Sequence, residues 1–191
     1  LFLMTYLAVG IAEATLLYFI KYGLGRESQS DMIMGGIFVV AILSLPLWYA
    51  VSKRLDKRLA YLVGISFWAV VQLVMISLTP ASSLTTVMIL AALAGVGIGA
   101  AQSIPWAIIP DAIEYDELQT GERHEGMFYS LVTLLQKVSA SIFIPLVLIV
   151  LEVAGYVPAA AEQSAEVVRA IRIVFGPVTA TALLAGIAFA L

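Results

Sequence analysis

Long apolar segments separated by short polar loops dominate this chain of 191 residues. None of the segments alternates strictly between polar and apolar residues, as the strands of a membrane barrel would. Each is close to the roughly 20 residues that an α-helix needs to cross a hydrocarbon core of about 30 Å. The pattern therefore predicts an all-α membrane protein with six transmembrane helices, at about 1–22, 33–51, 60–79, 85–109, 127–151 and 168–190.

The composition supports a lipid environment. Hydrophobic residues make up 62% of the chain and charged residues 12%, which leaves too little polar surface to coat a water-soluble domain. Cysteine is absent, so the sequence offers no disulfide, no thiolate metal site and no catalytic cysteine. The net charge of -3 argues against a nucleic-acid partner. We expect neither a catalytic residue nor a bound metal or cofactor, and therefore no enzyme.

Positive charge is concentrated in the loop at 52–58. The positive-inside tendency places this loop in the cytoplasm, and alternation of the spans then places the stretch at 110–126 on the same side. Six helices with both ends on one side can form two groups of three, the 3+3 inverted repeat of many transporters. The third and sixth segments carry no charge in their apolar cores, which predicts that these two helices mainly face lipid.

Lys137 lies deep in the fifth segment, about 15 Å from its start at 1.5 Å per residue. A lysine near the bilayer centre costs about 2.5 to 3.5 kcal/mol, normally offset by a water-filled cavity or an acidic partner. Ser130, Thr133 and Ser141 share a helical stripe with Lys137 at spacings of three and four residues. The stripe predicts a polar pathway that binds a solute or cation. The alternative is a buried structural ion pair made by Lys137.

Three further side chains are candidates for binding. Glu13 lies deep in the first segment, where it could carry a proton, bind Na⁺ or pair with Lys137; the alternative is a hydrogen-bonded glutamate that only packs. In the fourth segment, Gln102 lies three residues after Gly99, and Trp106 lies four residues after Gln102. The two side chains therefore share the face of Gly99 and could bind a polar ligand.

Ordered motifs in the second half of the chain resemble those of the glycoside-pentoside-hexuronide:cation symporters, a family of the major facilitator superfamily. They are the run IPWAIIPDAIEYDE at 104–117, the run TGERHEG at 120–126, and the pairs Gln136-Lys137, Gly155-Tyr156 and Gln163-Ser164. The resemblance implies that residues 1–191 form the C-terminal six-helix half of a twelve-helix transporter whose N-terminal half is missing from the chain. It implies a cell-membrane symporter that moves a sugar or glycoside by alternating access, coupled to Na⁺ or H⁺, with membrane lipid and the N-terminal half as partners.

The same resemblance suggests roles for particular residues. In the melibiose-permease branch, the lysine that matches Lys137 is implicated in the cation and sugar site and faces carboxylates of the N-terminal half. Glu13 departs from the family pattern, in which a neutral polar residue is more usual. Asp111, Asp116 and Arg123 resemble the charged cytoplasmic elements that close the inward side.

Two alternatives stay open. Relatives of this family in animals carry lysophospholipids, so the chain could belong to a lysolipid symporter on the same scaffold. An apolar cavity beside Lys137, open sideways to the bilayer, would favour that substrate. The second alternative is a membrane enzyme or assembly subunit, which would need a cluster of His, Asp or Glu at the membrane surface, whereas the chain has one histidine, His124.

Overall fold

The computed structural model describes residues 2–158 and 160–190 of the chain. Six spans are long and apolar enough to cross a membrane, which confirms the predicted number of helices. Short π-helical turns at Phe19–Gly23 and Val174–Val178 continue α1 and join α6 to α7. The helices are α1 (Phe2–Tyr18), α2 (Ser30–Arg54), α3 (Lys57–Met75), α4 (Leu84–Thr120), α5 (Glu125–Val153), α6 (Ala165–Ile173) and α7 (Thr179–Ala188).

The fourth span is longer than the sequence predicts. We expect a helix that ends near 109, but α4 continues through Pro105 and Pro110 to Thr120. Each proline lacks a backbone donor, yet the stretch that follows is rich in Ala, Ile, Glu and Leu, which sustain a helix. The helix ends where Gly121 adopts a left-handed φ of 74° and its N–H donates to the carbonyl of Glu117 at 2.9 Å.

The sixth span bends at a π-helical turn that contains Pro177. A wide turn accommodates proline, which has no N–H to give to the helix. The turn brings Phe175 onto Phe19, with the two rings stacked at a centroid distance of 4.3 Å. The buried amide of Gln72 in α3 donates to the carbonyl of Phe175 at 2.6 Å, so a carbonyl of this irregular turn has a partner.

Small residues let α4 pack closely on two neighbouring helices. A Cβ atom at Gly99 would lie 2.0 Å from the hydroxyl of Ser44 in α2, and one at Gly97 would lie 2.4 Å from the Cβ atom of Trp68 in α3. Neither approach is possible for a larger residue without displacing a neighbour. The small residues of α4 therefore allow close contact with α3 as well as with α2.

Burial within the described block differs between the spans. Half of the apolar window is buried in the third and sixth spans (50% each), against 22% in the second and 17% in the fifth. Within the described six-helix block, α2 and α5 therefore expose the largest apolar faces. That the third and sixth spans mainly face lipid stays a prediction, since burial inside this block does not show what covers its outer faces.

Arg172 connects three spans at the predicted outer side. Its guanidinium donates to the carbonyl of Ile76 at 2.9 Å and to the carbonyl of Gly23 at 2.8 Å. Both acceptors lie at helix ends, where carbonyls lack partners within their own helix. Arg172 thereby holds the ends of the first and third spans against the sixth.

Candidate functional site

Lys137 lies on an exposed face of α5, and Ser130, Thr133 and Ser141 lie along the same stripe. Each of the three hydroxyls donates to a carbonyl three or four residues earlier in α5, at 2.8 to 2.9 Å. Because these hydroxyl hydrogens are used within the helix, the stripe offers a ligand mainly acceptor lone pairs and the Lys137 ammonium.

No carboxylate in residues 2–158 or 160–190 forms an ion pair with Lys137. The pair with Glu13 that the sequence allows is therefore not formed in this arrangement. A lysine at membrane depth needs water or an acidic partner, and no acidic partner comes from the described part of this chain.

Glu13 and Gln102 line the same cavity, although these two predicted site residues are distant in sequence. The cavity has a volume of about 180 Å³ and opens at the surface of the six-helix block. Its remaining lining comes from α2 and α4 and is apolar except for backbone atoms: Phe38, Ala41, Ile42, Leu45, Ile98 and Gly99. Lys137 and its stripe do not line this cavity, so the structure divides the predicted residues between two places.

Trp106 belongs to an aromatic cluster that joins α1, α4 and α5. Its indole N–H donates to the hydroxyl of Tyr6, and the ring of Phe2 meets it edge-on at a centroid distance of 5.7 Å. Tyr129 stacks on the other side at 6.4 Å. The indole N–H is therefore used within the protein. Sequence patterns could not predict the three ring partners, because they lie far from Trp106 along the chain.

Asp111 is held by the first residue of α3. The ammonium of Lys57 lies 2.6 and 2.7 Å from the two carboxylate oxygens of Asp111, and it also donates to the carbonyl of Ala107 at 2.8 Å. This contact ties the basic loop at 52–58 to α4 on the predicted cytoplasmic side.

Asp116 and Arg123 take part in a second charged group, at the turn between α4 and α5. His124 Nδ1 lies 2.8 Å from a carboxylate oxygen of Asp116, and this hydrogen bond raises the pKa of His124 above its usual value. Arg123 contacts the carboxylates of Glu117 at 3.5 Å and Glu125 at 3.2 Å. Ion pairs as exposed as these contribute about 0.2 to 1 kcal/mol each, so the group can open at little cost.

Residues 2–158 and 160–190 contain no group of three or more His, Cys, Asp or Glu side chains arranged to hold a metal ion. The two places offer different groups: the ammonium of Lys137 with the oxygens of three hydroxyls on α5, and the carboxyl group of Glu13 with the amide of Gln102 in an otherwise apolar cavity. Such an arrangement is suited to binding and releasing a charged or amphiphilic ligand.

Comparison with known proteins gives consistent matches. The whole chain, residues 1–191, matches the family described as MFS/sugar transport protein. A Synechocystis protein named Uncharacterized symporter sll1374 is 33% identical over 197 residues, which cover 100% of this chain and 36% of the relative. Sodium-dependent lysophosphatidylcholine symporter 1-A of Danio rerio is 34% identical over 85% of this chain and 31% of the relative. Uncharacterized symporter YjmB of Bacillus subtilis is 31% identical over 82% of the chain and 34% of the relative.

The chain spans about a third of the length of these curated relatives. The match agrees with the structure in its architecture, because six membrane-crossing spans identify a multi-pass membrane protein. The resemblance carried by the runs at 104–117 and 120–126 is confirmed. The chain therefore belongs to the MFS/sugar transport protein family of the major facilitator superfamily.

Proposed function

We propose that this chain supplies six helices of a cation-coupled symporter that works by alternating access. The relatives from Synechocystis, Danio rerio and Bacillus subtilis are all named as symporters. The position of Lys137 supports the proposal, since an ammonium exposed at membrane depth requires an acidic partner or water during the transport cycle. A carboxylate of the other half of the transporter meets that need.

Competition for this carboxylate provides the coupling. In the empty carrier, Lys137 and the carboxylate neutralise each other. Na⁺ or H⁺ competes with the ammonium for the carboxylate, and the released Lys137 becomes available to an anionic or polar group of the solute. The two halves then rock around the occupied site. The exposed contacts of Asp111, Asp116 and Arg123 order the cytoplasmic ends of α3, α4 and α5, and their low individual strength allows that end to open.

The substrate that the geometry supports best is an amphiphile with a polar headgroup, such as a lysolipid. The observation that carries this choice is the apolar wall of the cavity at Glu13 and Gln102, together with hydroxyls near Lys137 that donate within their own helix. A sugar needs many hydrogen-bond partners, since each buried polar group left without one costs about 1 to 3 kcal/mol. An acyl chain needs only apolar walls. The name of the Danio rerio relative supports the same class.

A sugar or glycoside is the second candidate. The family description includes sugar transport, and the carboxyl group of Glu13 with the amide of Gln102 could bind two or more hydroxyls of one ring. Trp106 contributes less to such a site than its sequence position suggests. Its indole N–H already donates to Tyr6, and its ring already contacts the rings of Phe2 and Tyr129.

An uptake panel with the full-length protein in proteoliposomes tests both the activity and the substrate class. Labelled lysophosphatidylcholine and a labelled glycoside are offered under an inward Na⁺ gradient, an inward H⁺ gradient and no gradient. We expect gradient-dependent accumulation of the lysolipid. Accumulation of the glycoside alone would assign the protein to sugars, and failure of every tested solute to respond to either gradient would contradict symport.

A further inference from the structure

A large apolar groove runs between α1, α5 and the α6–α7 span, and its lining does not include Glu13, Gln102 or Lys137. Its volume is about 550 Å³, the largest of the cavities described above. The lining comes from three segments, at 4–11, 143–150 and 173–182. All three belong to membrane-crossing spans, so the groove lies within the membrane-spanning part of the block.

The chemistry of the lining favours a hydrocarbon occupant. Every lining residue except Thr181 is apolar, and the hydroxyl of Thr181 donates to the carbonyl of Val178 at 2.8 Å. The groove therefore has no side-chain donor to offer a polar solute, which would lose its own hydrogen bonds on entering. An acyl chain has none to lose.

The wall of the groove on the α6–α7 span is nearly as long as one leaflet of a bilayer. The lining on the α6–α7 span extends over residues 173–182, about 13 Å at 1.5 Å per residue. Half of a hydrocarbon core is about 15 Å. A single acyl chain that enters from one membrane surface can therefore follow the groove for most of its length.

A cationic side chain stands at the predicted outer end of the groove. Arg169 lies four residues before the lining residue Ile173, one helical turn or about 6 Å nearer the outer surface. It is exposed and forms no ion pair with any described carboxylate. Its neighbour Arg172 is instead fully engaged with the carbonyls of Gly23 and Ile76. Arg169 is thus available to an anionic headgroup, for which guanidinium geometry is well suited.

The groove is separate from the path of the solute. This separation rests on the function proposed above. At 100 degrees per residue, the four lining residues of α5 lie about 180 to 280 degrees around the helix from Lys137, with their mean direction about 130 degrees away from it: Phe143, Leu146, Val147 and Val150. If Lys137 faces the other half of the transporter, most of these residues face away from that half. The occupant of the groove is then a resident lipid and not the solute in transit.

We propose that this groove is a binding site for one acyl chain of a phosphate-bearing membrane lipid of the outer leaflet, whose phosphate contacts Arg169. The bound lipid fills the space between the first, fifth and sixth spans, which are held together elsewhere by direct packing. It stays in place while the solute binds on the opposite face of α5.

Photocrosslinking in a bilayer tests the site without measuring transport. The full-length protein is reconstituted with a phosphatidylglycerol that carries a photoreactive group in its acyl chain, and the labelled residues are mapped by mass spectrometry. We expect the label to concentrate at 143–150 and 173–182. Equal labelling of other exposed apolar residues, such as Ile42 and Leu43 of α2, would overturn the proposal by showing only general lipid contact.

Two substitutions separate the acyl and headgroup contacts. Thr181→Trp fills the groove and should reduce the label several-fold, whereas Leu184→Trp, on the same helix but outside the lining, should not. Arg169→Gln should lower labelling by the phospholipid about fivefold, the effect of one cation near a membrane surface, and should leave labelling by a photoreactive diacyl glycolipid with a neutral headgroup unchanged. Arg54→Gln is the control on the predicted cytoplasmic side.

Each outcome decides the question. If Thr181→Trp fails to fold, the comparison of the two lipids on Arg169→Gln still tests the headgroup contact. Equal loss of both lipids in that variant would contradict a phosphate site, and crosslinks from the groove to protein would assign it to another polypeptide segment. The labelling experiment measures no uptake. Labelling of the groove together with no uptake in the panel would therefore reject symport and leave the lipid site standing.

Discussion

Glu13 and Lys137 both lie on exposed faces of membrane-spanning helices, but their surroundings differ. Glu13 shares a cavity with Gln102, within a wall of α2 and α4. Lys137 has neither such a cavity nor an ion-pair partner within the described residues. The two side chains therefore lie in different surroundings within the described residues, and only Glu13 lines the cavity with Gln102.

Replacing Glu13 should change the response to the coupling cation more than the protein's stability. Because Glu13 is exposed and no described residue pairs with it, Glu13→Gln should unfold within a few degrees of the wild-type melting temperature. If the carboxylate binds Na⁺ or H⁺, the variant should need several-fold more cation for half-maximal uptake. Glu152→Gln, near the predicted outer end of α5, is the matched control. An unchanged cation dependence in Glu13→Gln would assign Glu13 to packing.

Helical periodicity predicted only part of the arrangement of the candidate residues. The period of 3.6 residues places Ser130, Thr133, Lys137 and Ser141 on one stripe, as the structure has them. Periodicity cannot show which hydroxyls donate back to their own helix, nor that Trp106 meets Tyr6 from 100 residues away. Those contacts depend on how α1, α4 and α5 pack.

Among the helices, α4 connects the packing of the block to its cytoplasmic end. Its glycines allow contact with α2 and α3 in the membrane, and its last turns carry Asp111 and Asp116 beyond the apolar core. The position of the charged residues therefore depends on close packing more than 10 residues away. A change that forces α4 away from α3 should also disturb the Lys57–Asp111 contact.

Gly97→Ala tests this packing. The added Cβ atom would lie 2.4 Å from the Cβ atom and 2.9 Å from the Cα atom of Trp68, so relief requires a backbone shift. We expect a loss of about 1 to 3 kcal/mol, seen as a lower melting temperature in detergent. Gly10→Ala is the control, since no atom lies within 4 Å of the added group there and alanine favours a helix. Equal melting temperatures for the two variants would show that the α3–α4 contact is looser than described.

The turn between α4 and α5 should respond to pH through His124. Its pKa is raised by the hydrogen bond with Asp116, so the stabilising contact is complete below the unfolded value of about 6.5 and is lost as pH rises through the folded pKa. His124→Gln should therefore be cleaved faster than wild type by trypsin at Arg123 at about pH 6, with the difference vanishing at alkaline pH. If the ratio of the cleavage rates of variant and wild type stayed constant from about pH 6 to alkaline pH, His124 would have no pH-dependent role in stabilising this turn.

The limits of prediction at the level of elements are also physical. Hydropathy located all six spans, because each must exclude water over about 30 Å. It could not locate the end of α4, since Pro110 is outweighed by the helix-forming residues after it and by Gly121. Nor could it predict the π turn at Val174–Val178, whose carbonyls need partners such as Gln72 from another span.

At the scale of the whole chain, broad apolar faces stay uncovered within the described residues. The chain covers about a third of its curated relatives, and α2 and α5 expose broad apolar faces within the described block. Lys137 lies on one of these faces. The proposed function requires a carboxylate from outside the block at that position, which is why coupling is a property of the complete protein.

Cation-driven accumulation by the full-length protein, measured for wild type and Lys137→Ala in the same proteoliposomes, tests the coupling mechanism most directly. Wild type should accumulate its solute above equilibrium only while the Na⁺ or H⁺ gradient is present. Lys137→Ala should lose this uphill accumulation, while Lys53→Ala, at the predicted cytoplasmic end of α2, should retain it. Undiminished gradient-driven accumulation in Lys137→Ala would contradict the account.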